Sequence, residues 1–422
     1  MDQSRRRLLA VAGTGLAGAA GLLAWNFWPE QGWLNPCLGA VPPELLDHPL
    51  VREAWEGLDP ANVWDAHVHL LGAGDGGDAA ATGYNDRRGT WQWPFATVQR
   101  EALRNAACVG DATIDGGYVA RLAALAAAWP AGSRFLLFAL DRWHDDRGVP
   151  DTARSQVWIG NDHAARIVAR YPRRFLFAGS VHPYRSDAIL ELERVQRLGA
   201  RAIKWIPSAQ NIDAAAPRCD AYYRALVRLG LPLITHGGQQ RALPGDDGLG
   251  NPLQLRRALD HGVRVVVAHC ASMGESRDLD RGAGGPWVAS FTLFERLMDE
   301  PAFVGRLYGD LSAVTQSARA GASLRRIVER ASDGGDWAGR LLNGSDYPLP
   351  AVMPLYSPRA LAEAGLLPAA AVEPLSYLRR HNPLLFDFVQ KRQLRSAGRR
   401  LSRRVFQTRT FFSTEGAAAA GL

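Results

Sequence analysis

Two histidines one residue apart, His67 and His69, close a short apolar run at residues 63–69. In a strand, residues two apart share a face, so both imidazoles point to one side. His236 and His269 end two further apolar runs, Lys204 ends another, and Asp346 ends the last. Three imidazoles and a carboxylate form a donor set suited to zinc or manganese. A single strand-end histidine is more often a hydrogen-bonded core residue. Agreement among all these positions is what points to a divalent-metal site. Lys204 adds to it: the chain's 49 lysines and arginines are all arginine except at 204 and 391. An arginine at 204 could not lose its proton, whereas a desolvated lysine can. Such a lysine could take up CO₂ and bridge two metal ions as a carbamate; the plainer reading is contact with substrate or pairing with Asp346.

These residues need a scaffold that brings strand ends together. Eight short apolar runs recur, at 63–69, 135–140, 175–180, 202–206, 233–236, 264–269, 306–311 and 341–346. Continuous rather than alternating apolarity fits strands covered on both faces. Between them lie stretches at helical spacing, including 162–171, 187–198, 220–229 and 253–260. Strand–helix alternation implies a parallel sheet, and eight units favour an α/β fold of the (β/α)₈ TIM-barrel type. The carboxyl ends of barrel strands converge on one face, where active sites are built. No GxGxxG follows the first strand, which argues against a dinucleotide fold. Residues 71–133 exceed one loop and helix, and are expected to be an insertion after strand one, over the barrel mouth. The barrel is placed at 61–389.

The 422 residues, 47% hydrophobic and 22% charged, have an ordinary globular composition. That excludes whole-chain disorder and a multi-span membrane protein. The net charge of +7 is concentrated at the ends. Eight basic residues face one acidic residue in 390–422, and three face one in 1–28, so the body is near neutral and no nucleic-acid partner is expected. Residues 390–422 are read as a basic tail. Arg5, Arg6 and Arg7 precede an uncharged apolar run at 8–28 that ends in Trp25, Phe27 and Trp28. The run is long enough to cross a bilayer, and 1–28 resembles a twin-arginine export signal or membrane anchor. The protein is therefore expected on the periplasmic face of the inner membrane, or in the periplasm if the signal is cleaved. Residues 29–60 are read as a linker. The four cysteines form no CxxC pair and suggest neither a zinc ribbon nor a disulfide scaffold.

Over residues 63–388 the chain resembles the amidohydrolase superfamily, in its amidohydrolase 2 branch of TIM-barrel metal-dependent hydrolases. The matching stretches are Asp65-Ala66-His67-Val68-His69, Tyr171-Pro172-Arg173-Arg174-Phe175, Ala202-Ile203-Lys204, Leu233-Ile234-Thr235-His236, Val267-Ala268-His269, Asn343-Gly344-Ser345-Asp346 and Asn382-Pro383-Leu384-Leu385-Phe386. The resemblance implies that His67, His69, His236 and Asp346 bind a catalytic divalent metal. It makes His269 a catalytic group or a ligand of a second ion. Two departures stand out: Ile206 occupies a position where the branch often has histidine, and His182-Pro183-Tyr184-Arg185 follows strand three.

The residue types suggest a mechanism. A bound divalent metal, zinc by preference, lowers the pKa of water and polarises the bond under attack. Asp346 is expected to move the proton and His269 to orient the water or stabilise the oxyanion. Three functions are open: hydrolysis of an amide, lactone or ester; non-oxidative decarboxylation of an aromatic acid; or a catalytically silent metal-binding barrel. The partner is a small-molecule substrate, with His182, Arg185 and Trp205 as candidate contacts. Arg142, Trp143, His144, Arg241 and the 282–287 loop are further candidates for the mouth. The membrane is a second partner through 1–28, and self-association into a homo-oligomer is left open.

Overall fold

A computed structural model describes residues 29–78, 81–110 and 113–413. The proposed signal at 1–28 and the last residues of the tail lie outside the described residues. Eight parallel strands occur where apolar runs were expected: β1 Trp64–His69, β2 Arg134–Phe138, β3 Phe175–Ala178, β4 Ile203–Trp205, β5 Leu233–His236, β6 Val265–Ala268, β7 Leu307–Asp310 and β8 Leu341–Leu342. β1, β2 and β3 form one sheet, and β4 to β8 pair in sequence order in another. Two single bridges join the sheets, Gly179 to Ile203 and Val68 to Tyr347, and close the barrel.

Alternate residues of these strands fill the interior. Ala66, Leu136, Phe138, Ala178, Ile234 and Val266 belong to one buried cluster, a layered filling of small and large side chains. The opposite residues join a second, larger core against the surrounding helices. Both strand faces are buried, which is why the runs read as continuously apolar.

Phe411 and Phe412 belong to the interior cluster, and this corrects the reading of 390–422 as a basic tail. The helix Pro383–Gln393 is buried along most of its length, and the chain beyond it turns under the barrel. Phe412 stacks on Trp64, and the Thr408 hydroxyl donates to the Trp64 carbonyl at 2.6 Å. The arginines of this segment point outward while its apolar residues close the barrel floor, so charge counting alone missed the packing. Residues 29–60 are also more than a linker. They contain the helix Pro49–Trp55, and Trp55 packs edge-on to Trp129 and against Phe388.

The insertion after β1 is present. It carries two helices, α1 Trp93–Ala106 and α2 Ile114–Ala127, and a short strand Thr82–Tyr84 paired with Val157–Ile159. Cys37 and Cys108 form a disulfide across 71 residues. Their spacing gave no sign of it, because the insertion brings them together. Among the described residues no helix is long and apolar enough to cross a membrane.

Candidate metal centre

β1 does not run straight to its histidines. Its register with β2 shifts between Asp65 and Val68. The buried Asp65 carboxylate accepts from the backbone N–H groups of His67 and Ser345, tying β1 to the turn after β8. Lys391, also buried, ties that turn from below by donating to the Gly344 carbonyl and to Asp387. The two backbones thereby set His67, His69 and Asp346 against one another.

The Nε2 atoms of His67 and His69 lie 3.2 Å apart. Asp346 Oδ1 lies 3.2 Å from the first and 3.0 Å from the second. One donor atom from each residue falls within 4.8 Å of the others, the arrangement a metal ion requires. Asp346 Oδ1 is buried and receives no hydrogen bond, an oxygen left free for a cation. His236 and His269 complete the cluster, with ring centroids 4.9 Å apart, and both line the same cavity. His236 stands beside the three-residue group rather than within it. Lys204 Nζ lies 3.4 Å from His67 Nε2 and 4.6 Å from the centroid of the Phe138 ring.

Sequence reasoning missed the residues that aim these ligands. Asp310, at the carboxyl end of β7, accepts a 2.8 Å bond from His67 Nδ1. The Ser312 carbonyl accepts from His269 Nδ1 at 2.8 Å, and the Asp310 carboxylate accepts from the His269 backbone N–H. Protons on both Nδ1 atoms leave both Nε2 lone pairs free, the tautomer a ligand or base needs. Asp310 was legible as the lone carboxylate near the end of the seventh apolar run, 306–311. Arg319 was not, because it sits in a loop of an arginine-rich chain. It is buried in the cavity wall, its Nε is unpartnered, and its Nη1 reaches Ser272 Oγ only at 3.5 Å.

The electrostatics follow from burial. Desolvation lowers His269 to about 3 and His236 well below the usual range, so both are neutral imidazoles near pH 7. Burial and Lys204 push His67 down too, but Asp310 and Asp346 outweigh them and raise it. Burial lowers the Lys204 ammonium to about 8. His269 and Asp346 have φ of 56° and 63°, left-handed conformations that cost side-chain-bearing residues on the order of 1–3 kcal/mol and cluster at active sites.

Three residues expected to touch substrate do not reach the cavity. His182 is fully buried, with Nε2 on the Gln210 carbonyl and Nδ1 accepting from the Tyr184 N–H. Arg185 pairs with Asp141 and Asp187. Trp205 is buried against Tyr222 and donates to the Val181 carbonyl. Of the other mouth candidates, Arg241 lines the cavity. The cavity holds about 350 Å³ above the histidines, and its wall is largely apolar, with Leu70, Leu140, Ile159, Met273 and Val352 among its residues.

A closed eight-stranded barrel with histidines and a carboxylate at its strand ends defines a TIM barrel with a metal-type site. The family model described as "Amidohydrolase" matches residues 64–375, and the chain belongs to that amidohydrolase family. Among curated proteins none matches. Similar solved structures include an uncharacterized TIM-barrel protein from Bordetella bronchiseptica, 16% identical, covering 75% of this chain and 98% of that one with a TM-score of 0.43. Another is 5-carboxyvanillate decarboxylase from Sphingomonas paucimobilis, 15% identical, covering 78% and 96% with a TM-score of 0.42. At such identities and scores neither likeness speaks to the reaction.

Proposed function

We propose that the protein is a metal-dependent hydrolase that cleaves an amide, lactone or ester bond using one divalent ion, zinc by preference, held by His67, His69, His236 and Asp346. The observation that carries this reading is the convergence of two imidazole nitrogens and an unpartnered carboxylate oxygen at the floor of the cavity. A divalent ion there supplies Lewis acidity and activates water near neutral pH. Asp346 accepts the proton given up by the attacking water and delivers it to the leaving group. His269, neutral and oriented by Ser312, hydrogen-bonds the attacking water through Nε2. Lys204, uncarbamylated and lowered only to about 8, stays an ammonium near pH 7 beneath the site and offsets negative charge that develops above it. Arg319, buried with an unsatisfied Nε, holds an anionic group of the substrate.

Arg319 also favours a second reading, decarboxylation, because a carboxylate held there lies beside the same site. Turnover in ¹⁸O-labelled water separates the two. Hydrolysis places one labelled oxygen in the acid product. Release of CO₂ with a solvent proton on carbon would overturn the hydrolase reading.

Export into an oxidising compartment belongs to the same proposal. The arginines at 5–7 with the apolar run behind them support it, and so does the Cys37–Cys108 disulfide, a bond that persists outside the reducing cytoplasm.

A further inference from the structure

We propose that the outer end of α1 seats on an anionic lipid surface, so that the cavity opens toward the bilayer. Positions 95, 98, 99, 102, 103 and 106 share one face of α1, by their spacing of three and four residues. The carboxyl half of that face faces inward: Gln99, Ala102 and Leu103 line the cavity, and Ala106 is buried. The amino half runs on past the cavity and is exposed among the described residues. Phe95 is 70% exposed and Val98 69%, and the preceding Trp91, at 78%, meets the Phe95 ring edge-on. One apolar stripe therefore passes from the surface into the cavity that holds the metal-type site. Large exposed apolar side chains grouped in this way mark a docking surface.

Cys37 is bonded to Cys108, just past the end of α1. Beside it, the Asn35 N–H donates to Asn105 Oδ1 at 2.8 Å, and Asn105 Nδ2 donates to the Asn35 carbonyl at 3.1 Å. This staple lies a few residues after the apolar run that ends at Trp28. Residues 29–36 reach at most about 28 Å when fully extended. A bilayer holding that run must lie within about this distance of Cys37, itself 5.6 Å from Cys108 between Cα atoms, and α1 is only about 21 Å long. Trp33 and Leu34 are exposed on the same approach. Between residues 84 and 106 four arginines, Arg87, Arg88, Arg100 and Arg104, outnumber two acids, Asp86 and Glu101, which pair with Arg88 and Arg100, and Arg241 stands at the cavity rim. Tryptophans with arginines are the side chains that settle at an anionic interface. Resting on the hydrolase reading above, the substrate is then an amphiphile whose apolar body enters from the lipid.

The test uses the full chain reconstituted in phosphatidylethanolamine–phosphatidylglycerol vesicles. Val98→Cys carries an environment-sensitive fluorophore, and Leu190→Cys, on the exposed flank helix Ala188–Arg197, carries the same dye as control. The only other thiols, Cys219 and Cys270, are buried. The Val98 dye should shift to the blue, be quenched by nitroxide-bearing lipid and escape iodide, with the control reversed. Replacing the anionic lipid by phosphatidylcholine should reduce lipid quenching. Iodide quenching at Val98 equal to the control would overturn the proposal. So would a dye shielded from both quenchers, which would mean that residues 8–28 or a second copy covers the face. Unchanged lipid quenching in phosphatidylcholine would overturn the requirement for anionic lipid. Emission is read without turnover, so this result and the hydrolase reading can fail separately.

Discussion

His67 presents Nε2 to the cavity because Asp310 holds its other nitrogen. Asp310→Ala should therefore weaken metal binding about 10- to 100-fold while the fold persists. Competition with a chelator of known affinity reads this directly, and unchanged affinity would remove Asp310 as a positioning residue. A different histidine, away from the site, contributes to acid stability. His182 is held at about 3 by burial, against an ordinary 6.5. The unfolded chain then binds the extra proton first, so the stability from this group is complete above pH 6.5 and is lost as pH falls toward 3. The slope from this side chain approaches about 1.4 kcal/mol per pH unit within that window. Urea unfolding at pH 7 and pH 5 should show a smaller loss for His182→Gln than for the wild type. Equal losses would contradict the assignment.

At the level of elements, the strand ends were legible because burial on both faces leaves an unbroken apolar run. The polar residue that ends such a run then stands out. His67, His69, His236, His269, Lys204 and Asp346 were all picked out as candidates in this way, and the structure gathers them at one end of the barrel. His182 follows β3 and Trp205 ends β4, but hydrogen bonds to main-chain carbonyls turn them into the core, and sequence spacing carries no record of those bonds. The C-terminal segment was misread for a related reason. Its arginines dominate the composition while Leu394, Val405, Phe406, Phe411 and Phe412 do the packing. Phe411→Ala and Phe412→Ala should each destabilise the barrel by about 3 kcal/mol, measured by urea unfolding. A change below about 1 kcal/mol would mean that these rings do not close the floor.

For the whole molecule, export and chemistry make separate demands. Protein recovered from the oxidising side should show two free thiols when denatured without reductant, Cys219 and Cys270, and four after reduction. Changing Arg5, Arg6 and Arg7 to lysine should strand the chain inside, where all four thiols would stay reduced. Normal export of that variant would remove the twin-arginine reading. The central claim, a single catalytic ion between β1 and the turn after β8, is tested most directly by metal analysis of the purified full chain alongside His67→Ala. Wild-type protein should hold about one divalent ion per chain, with activity lost on chelation and restored by zinc or manganese, and the variant should show neither ion nor activity. Full activity in metal-stripped wild type, or two ions per chain with a carbamate on Lys204, would contradict that claim.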